Sequence, residues 1–253
     1  MFRMQISCVV ITKNEEKNIE RCIKSVESVV DEIIIVDSFS TDRTKEICEK
    51  LNVKFVEHAF EGHIEQKNWA ITQAKYNHIL SLDADEVLSE KLRKSIFEVK
   101  NNWAHDGYYF NRLTNYCGKW IRHCGWYPDH KLRLWDSRKG KWTGINPHDK
   151  YEMNEDTKIK FIKGDLLHYS YHTITQHIDQ INKFTDIGAE AAYRSGIRSN
   201  LLLIIVKPIW KFIRDYFIKL GILDGYYGFL ISIISSYATS IKYIKIKELQ
   251  KSR

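Results

Sequence analysis

Proline and glycine are scarce, three and twelve in 253 residues, and no stretch is rich in either, so no flexible linker is expected. No internal repeat or low-complexity tract occurs, which excludes solenoids and propellers. Neither GxGxxG nor a P-loop is present, and no Ser/His/Asp set stands out as a nucleophilic triad. The five cysteines (Cys8, Cys22, Cys48, Cys117, Cys124) are odd in number and form no CxxC. Cys117 and Cys124 with His123 fit no common zinc spacing. The start, "MFRMQISCVV", lacks the layout of a secretion signal. Free thiols in a reducing, cytoplasmic setting are the expectation. Long apolar runs are also missing. The longest uncharged stretch, residues 225–241, has 17 residues and includes Gly225, Gly228, several Ser and three Tyr. That is short and polar for a spanning helix.

What is present is a foldable composition, 43% hydrophobic and 28% charged, enough for one large domain with an appendage. The net charge of +7 is uneven. Residues 201–253 hold nine Lys and Arg against Asp215, Asp224 and Glu248, nearly the whole excess. The rest is close to neutral, which argues against a nucleic-acid groove across the main domain and for one basic tail facing an anionic partner.

"ISCVVI" (6–11), "EIIIVD" (32–37), "VKFVEH" (53–58) and "HILSLD" (78–83) read as strands without alternation. Helical patterns separate them: Ile19, Cys22, Ile23 and Val26, then a helix capped by Ser40, Thr41 or Asp42, then 65–74, with another from 89. This order predicts an α/β fold with a doubly wound, mainly parallel, Rossmann-like sheet covered on both faces. Residues 1–104 form its nucleotide-binding half, and 105–172, rich in Tyr, Trp, His and Arg, read as irregular strands and loops of an acceptor-side half. From 173 to 253 the pattern is a helical, basic, amphipathic extension.

In such sheets ligands bind beyond the carboxyl ends of the strands. Thr12 and Glu15, Asp37 to Asp42, His58, and Asp83 to Glu86 all gather there. Asp83 and Asp85 are two apart. In an extended segment they point the same way, roughly 6.5–7 Å apart at Cα. Two such carboxylates repel unless a cation sits between them, and Mg²⁺ or Mn²⁺ with a diphosphate would complete the set. Asp37 can accept from a base or ribose, and Lys67 can meet phosphates. Trp120, Trp126 and Tyr127 offer faces for a sugar, with Arg122 or His123 for a phosphate and His148 for the diphosphate or the acceptor. Displacing a nucleoside diphosphate from an anomeric carbon needs stabilisation of the leaving group and a carboxylate to take the acceptor proton. An acid pair at one strand end and a separate later acid match that division.

"VVITKNEEKNIERCIKSV", "DEIIIVDSFSTDRTKEIC", "QKNWA" and "SLDADE", followed by "RHCGWYPDHKLRLW", "PHDK" and "LLHYSY", together resemble the family-2 inverting glycosyltransferases. Within them, the blocks resemble the branch of bacterial lipopolysaccharide-core β-1,4-glucosyltransferases, over about residues 4–245. The resemblance implies a GT-A-type domain. It puts uracil or ribose on Asp37 with Thr12 and Glu15 beside it, ribose and metal on Asp83, and the metal chiefly on Asp85. Asp129 in "YPDHKLRL" would be the general base, and Asp149 in "NPHDK" is the rival for that role. Pro128 stands where many relatives outside this branch have Glu. A metal-dependent inverting transferase is therefore expected. Its donor would be UDP-linked, with glucose weakly favoured, and its acceptor a membrane glycolipid such as a lipopolysaccharide-core intermediate. The alternatives are transfer to a polyprenyl phosphate and a non-catalytic nucleotide-sugar-binding membrane adaptor. The tail would hold the enzyme peripherally on the inner face of the cytoplasmic membrane through interfacial helices.

Overall fold

The computed structural model describes residues 3–145 and 148–251, with the side chains of Ile145 and His148 also outside the description. The chain divides into two compact units, Met1–Arg112 with Asp129–His168, and Leu113–Pro128 with Tyr169–Arg253. The boundary read from sequence, after residue 172, lies four residues past the last crossing between them.

In the first unit, β1 (Ile6–Thr12), β2 (Glu32–Asp37), β3 (Lys54–Glu57) and β4 (His78–Asp83) run parallel in the order β3-β2-β1-β4. Helices α1 (Ile19–Val26), α2 (Thr44–Lys50) and α3 (His63–Thr72) connect them. The expected capping residue Asp42 accepts the Thr44 N–H at 3.0 Å, one residue ahead of the helix boundary at Arg43. On β1, Ile6, Cys8 and Val10 enter one core with Ile19, Ile23, Leu80 and Leu82. Val9 enters the other with Ile34, Ile79, Trp135 and Trp142. Both faces are covered, so these strands carry no alternation.

Beyond β4 the mainly parallel sheet continues in antiparallel strands. β8 (Asp129–Asp136) pairs antiparallel with β4 and with β6 (Gly107–Tyr116), and β11 (Ile159–Tyr171) pairs antiparallel with β5 (Glu86–Leu88). The sheet is therefore mixed. The segment expected to be irregular is mostly regular strand. It includes the hairpin β9 (Gly140–Ile145) and β10 (His148–Met153). Helix α4 (Glu90–Asn101), capped by Ser89, packs so closely beneath β11 that a Cβ on Gly164 would lie 2.4 Å from the Leu92 nitrogen. Gly164 also has φ +117, open to glycine and strained for other residues.

In the second unit, β7 (Lys119–Ile121) pairs with the end of β6. Helices α5 (Ile174–Arg194), α6 (Leu201–Ile213) and α7 (Gly225–Lys251) follow. A capping box of Thr173 and Gln176 starts α5. His177 is buried against Tyr116, Trp126 and Tyr171. The Tyr116 hydroxyl lies 3.0 Å from its Nδ1. Burial lowers the His177 pKa from 6.5 to about 4. Between those values the unfolded chain holds a proton that the folded chain refuses, so stability is full above about pH 6.5 and falls as pH drops toward 4. Urea midpoints measured over that window should fall less for His177→Phe than for the parent chain. The expected difference is up to about 3 kcal/mol at the acid end.

Candidate active site

The parallel register brings the expected rim together, with Thr12 opposite Asp37 and Ile11 opposite Asp83. Asp37 is buried and accepts the Ser40 N–H at 2.6 Å. The loops after β1 and β2 interlock: Glu15 N–H donates to Thr44 Oγ1 at 2.9 Å and Glu16 N–H to Asp42 at 3.0 Å. Thr12 Oγ1 is buried with no hydrogen-bond partner, an orphan at the carboxyl end of β1. Burial raises the Glu15 pKa, the Asn18 hydrogen bond opposes that, and the charges of Asp85, Asp42 and Asp83 raise it further.

The two aspartates of "DAD" do not share one extended face. Asp83 ends β4, whereas Ala84 and Asp85 form a turn before β5. Their carboxylates find different partners. Asp83 is held by Lys67 at 3.0 Å and Arg133 at 2.7 Å. Burial works to raise its pKa, but Lys67 and Arg133 outweigh it and hold the carboxyl well below the usual range. Asp85 Oδ2 instead lies 3.1 Å from His168 Nε2 on β11.

From Asp83 the ion pairs continue in both directions. Lys67 also meets Asp149 at 2.8 Å. Arg133 also meets the fully buried Glu86 at 2.7 Å. Arg112 lies 3.6 Å from Glu86 and 2.8 Å from Asp129, and Lys131 meets Asp129 at 3.0 Å. Acid and base alternate without interruption from Asp149 to Lys131. A cavity of about 540 Å³ opens over this chain, lined by Lys67, Asp83, Arg112, Lys131, Arg133 and Asp149 among others. Trp142 forms part of the wall, with the Lys67 ammonium 4.5 Å from its ring centre.

Lys67, Asp83 and Asp149 thus meet directly, and Asp129 joins them through Arg112. Trp126 belongs to the second unit, where it packs against Tyr116 and Tyr171. The His148 side chain, expected near the diphosphate or acceptor, lies outside the described residues. Arg112, Arg133 and His168 were not singled out from sequence, and Glu86 was placed at the rim without a partner. Each sat inside a quoted or neighbouring block, but their partners are 17 to 83 residues away.

Among the described residues no cluster of three His, Cys, Asp or Glu could hold a metal ion. Asp85 and His168 offer one carboxylate and one imidazole, and His168 Nδ1 is buried without a partner. Two protein donors suit a divalent ion that takes its remaining ligands from phosphate and water.

Residues 7–202 match the model of Glycosyl transferase family 2. The chain is 31% identical to a glycosyltransferase of Rickettsia typhi, named as uncharacterized, over 98% of this chain and 89% of that one. It is 27% identical to the lipopolysaccharide core biosynthesis glycosyltransferase LpsC of Rhizobium meliloti, over 85% and 82% of the two chains. Among solved structures, S. aureus TarS 1-349 is similar with a TM-score of 0.48 and 15% identity, covering 99% of this chain and 92% of that one. The chain belongs to glycosyl transferase family 2, the inverting nucleotide-sugar glycosyltransferases.

Removing one member of a buried ion-pair set leaves an uncompensated charge. Arg133→Met should destabilise the protein by about 3–5 kcal/mol in urea unfolding. Adding Glu86→Gln to that variant should recover part of the loss, because one of the stranded carboxylates is then neutral.

Proposed function

We propose that this family member moves a hexose from a UDP-sugar to a membrane glycolipid of the lipopolysaccharide-core kind, with a divalent metal ion assisting. The observation that carries the reading is Lys67, held between Asp83 and Asp149 in a cavity that also presents Arg112 and Lys131. Such a pocket offers cations to a diphosphate and acids to the sugar and acceptor hydroxyls. The similarity to LpsC supports the acceptor class. The reaction would run at the inner face of the cytoplasmic membrane, where a nucleotide sugar and a nascent glycolipid meet.

In this reading the nucleoside lies on the rim formed by Thr12, Glu15 and Asp37, and the unpartnered Thr12 hydroxyl takes a hydrogen bond from it or gives one. Asp83 orients the ribose while Lys67 and Arg133 keep it ionised. Asp85 and His168 would hold Mg²⁺ or Mn²⁺, and a bound ion offsets negative charge on the departing diphosphate. Lys67 turns toward the phosphates. Asp129, paired with Arg112 and Lys131, removes the acceptor proton. One in-line displacement inverts the anomeric centre. Asp149 is the alternative base, and its contact with Lys67 ties it to the leaving-group side.

Calorimetric titration with UDP and GDP, with and without Mn²⁺, tests the donor site. UDP binding should depend on metal and weaken about tenfold or more in Asp85→Ala. GDP preference would move the donor to a GDP-sugar, and folded protein that binds neither nucleotide would overturn the reading. The base is tested by turnover of UDP-sugar with extracted core glycolipid. Asp129→Asn should lower kcat by about 10²–10⁴-fold with donor KM little changed. A larger loss in Asp149→Asn than in Asp129→Asn would transfer the role to Asp149.

A further inference from the structure

The second unit carries a broad surface that its described residues leave uncovered. Along α6, Leu201, Leu202, Ile205, Val206, Ile209 and Trp210 are exposed, Leu202 to 67% and Trp210 to 53%. The turns that follow expose Phe217, Ile218, Leu220, Ile222 and Leu223. Single exposed apolar residues are ordinary, but a continuous face of this kind marks an interaction surface.

Its charges indicate the partner. The only acids between residues 201 and 247 are Asp215 and Asp224. Both turn inward, with exposures of 2% and 7%. Asp215 pairs with Lys211 at 2.5 Å and Arg214 at 3.0 Å. Asp224 accepts the backbone N–H groups of Arg122 at 3.1 Å and His123 at 2.8 Å, and contacts the His123 ring at 3.0 Å. What faces outward is apolar surface with the exposed cations Lys207 and Lys219, beside the half-buried Lys211 and Arg214 that pair with Asp215. An anionic lipid surface complements that combination: the apolar side chains enter the acyl boundary and the cations remain at headgroup level.

The shape suits entry without crossing. No single helix among the described residues is long and apolar enough to span a bilayer. The helical segment Leu201–Ile218, at about 1.5 Å per residue, is about 27 Å long, just short of a 30 Å hydrocarbon core. The segments Leu201–Ile218 and Gly221–Lys251 have the length and composition of a span only when taken together, and they meet at a bend of 69°. Close backbone contact fixes that bend. A Cβ on Gly228 would lie 1.8 Å from the Gly221 carbonyl oxygen, and the Ser236 hydroxyl donates to the Pro208 carbonyl at 2.8 Å, tying α7 to α6.

We propose that α6 and the turns through Leu223 form a monotopic docking face that seats in the headgroup region of an anionic bilayer without spanning it. The face stands on residues of the second unit alone, so it can be tested separately from the donor pocket.

The full chain is mixed with vesicles of phosphatidylcholine, alone or with phosphatidylglycerol, and sedimented. Binding should be about tenfold or more tighter to the anionic vesicles and should weaken as salt rises. Ile205→Asp with Ile209→Asp should reduce binding about tenfold or more, with an unchanged circular dichroism spectrum and unchanged UDP binding. Quenching of tryptophan emission by lipids brominated in the acyl chain should be lost in Trp210→Phe, which would show that this side chain is the one inserted. Equal binding to neutral and anionic vesicles, or no loss in the double variant, would overturn the proposal. So would a stable dimer in light scattering that the double variant dissolves, since the face would then be covered by a second copy. Loss of vesicle binding with UDP binding intact separates this surface from the transferase site.

Discussion

The Arg133 guanidinium, buried between Asp83 and Glu86, is the contact on which the donor end of this protein depends. It lies on β8, the strand that joins the antiparallel part of the sheet to β4, the last parallel strand. Its two carboxylate partners stand on either side of the turn at residues 84 and 85. The guanidinium fork makes charge-assisted bonds to both, so it sets the shape of that turn and hence the direction of Asp85. Together with Lys67 it holds the Asp83 carboxyl well below the usual range, against the effect of burial.

The two parts of the sheet contribute different chemistry. The parallel strands end in Thr12, Asp37 and Asp83, a rim of acceptors and a hydroxyl. The antiparallel strands add Arg112, Lys131, Arg133 and Asp129, and the β9–β10 hairpin adds Asp149. On the parallel side α3 contributes a cation, Lys67, to the same cavity. A site for a charged donor and a neutral sugar hydroxyl needs both contributions.

Much of this was legible in the chain, for physical reasons that also explain the gaps. β1 to β4 and their helices declare themselves through local patterns: β-branched runs, apolar residues at helical spacing, and polar residues at strand ends. The insertion of β8 beside β4 does not, because pairing between residues 78–80 and 134–136 is set by tertiary packing. The expected extended "DAD" fails for the same reason. Glu86 accepts the Asp83 N–H at 3.1 Å and Arg133 draws both acids inward, which a two-residue periodicity cannot anticipate. His168 was visible only as part of "LLHYSY". Its meeting with Asp85 depends on the register of β11 against β5. In the tail, composition revealed the basic and apolar character, whereas the burial of Asp215 and Asp224 required coordinates.

The alternation of charge from Asp149 to Lys131 has a consequence for how any anion enters. Each cation already has a carboxylate, so the cavity behaves less like a positive sink than like a loaded ion-exchange resin. In the proposed reading a phosphate would gain Lys67 only as Asp83 or Asp149 gives it up. The net attraction is the difference between two similar ion pairs, which is small beside either one. Such exchange would favour modest affinity and quick release of a nucleotide product. It would also part Asp149 from its cation whenever a donor is bound, so the Lys67–Asp149 contact would report on occupancy of the site.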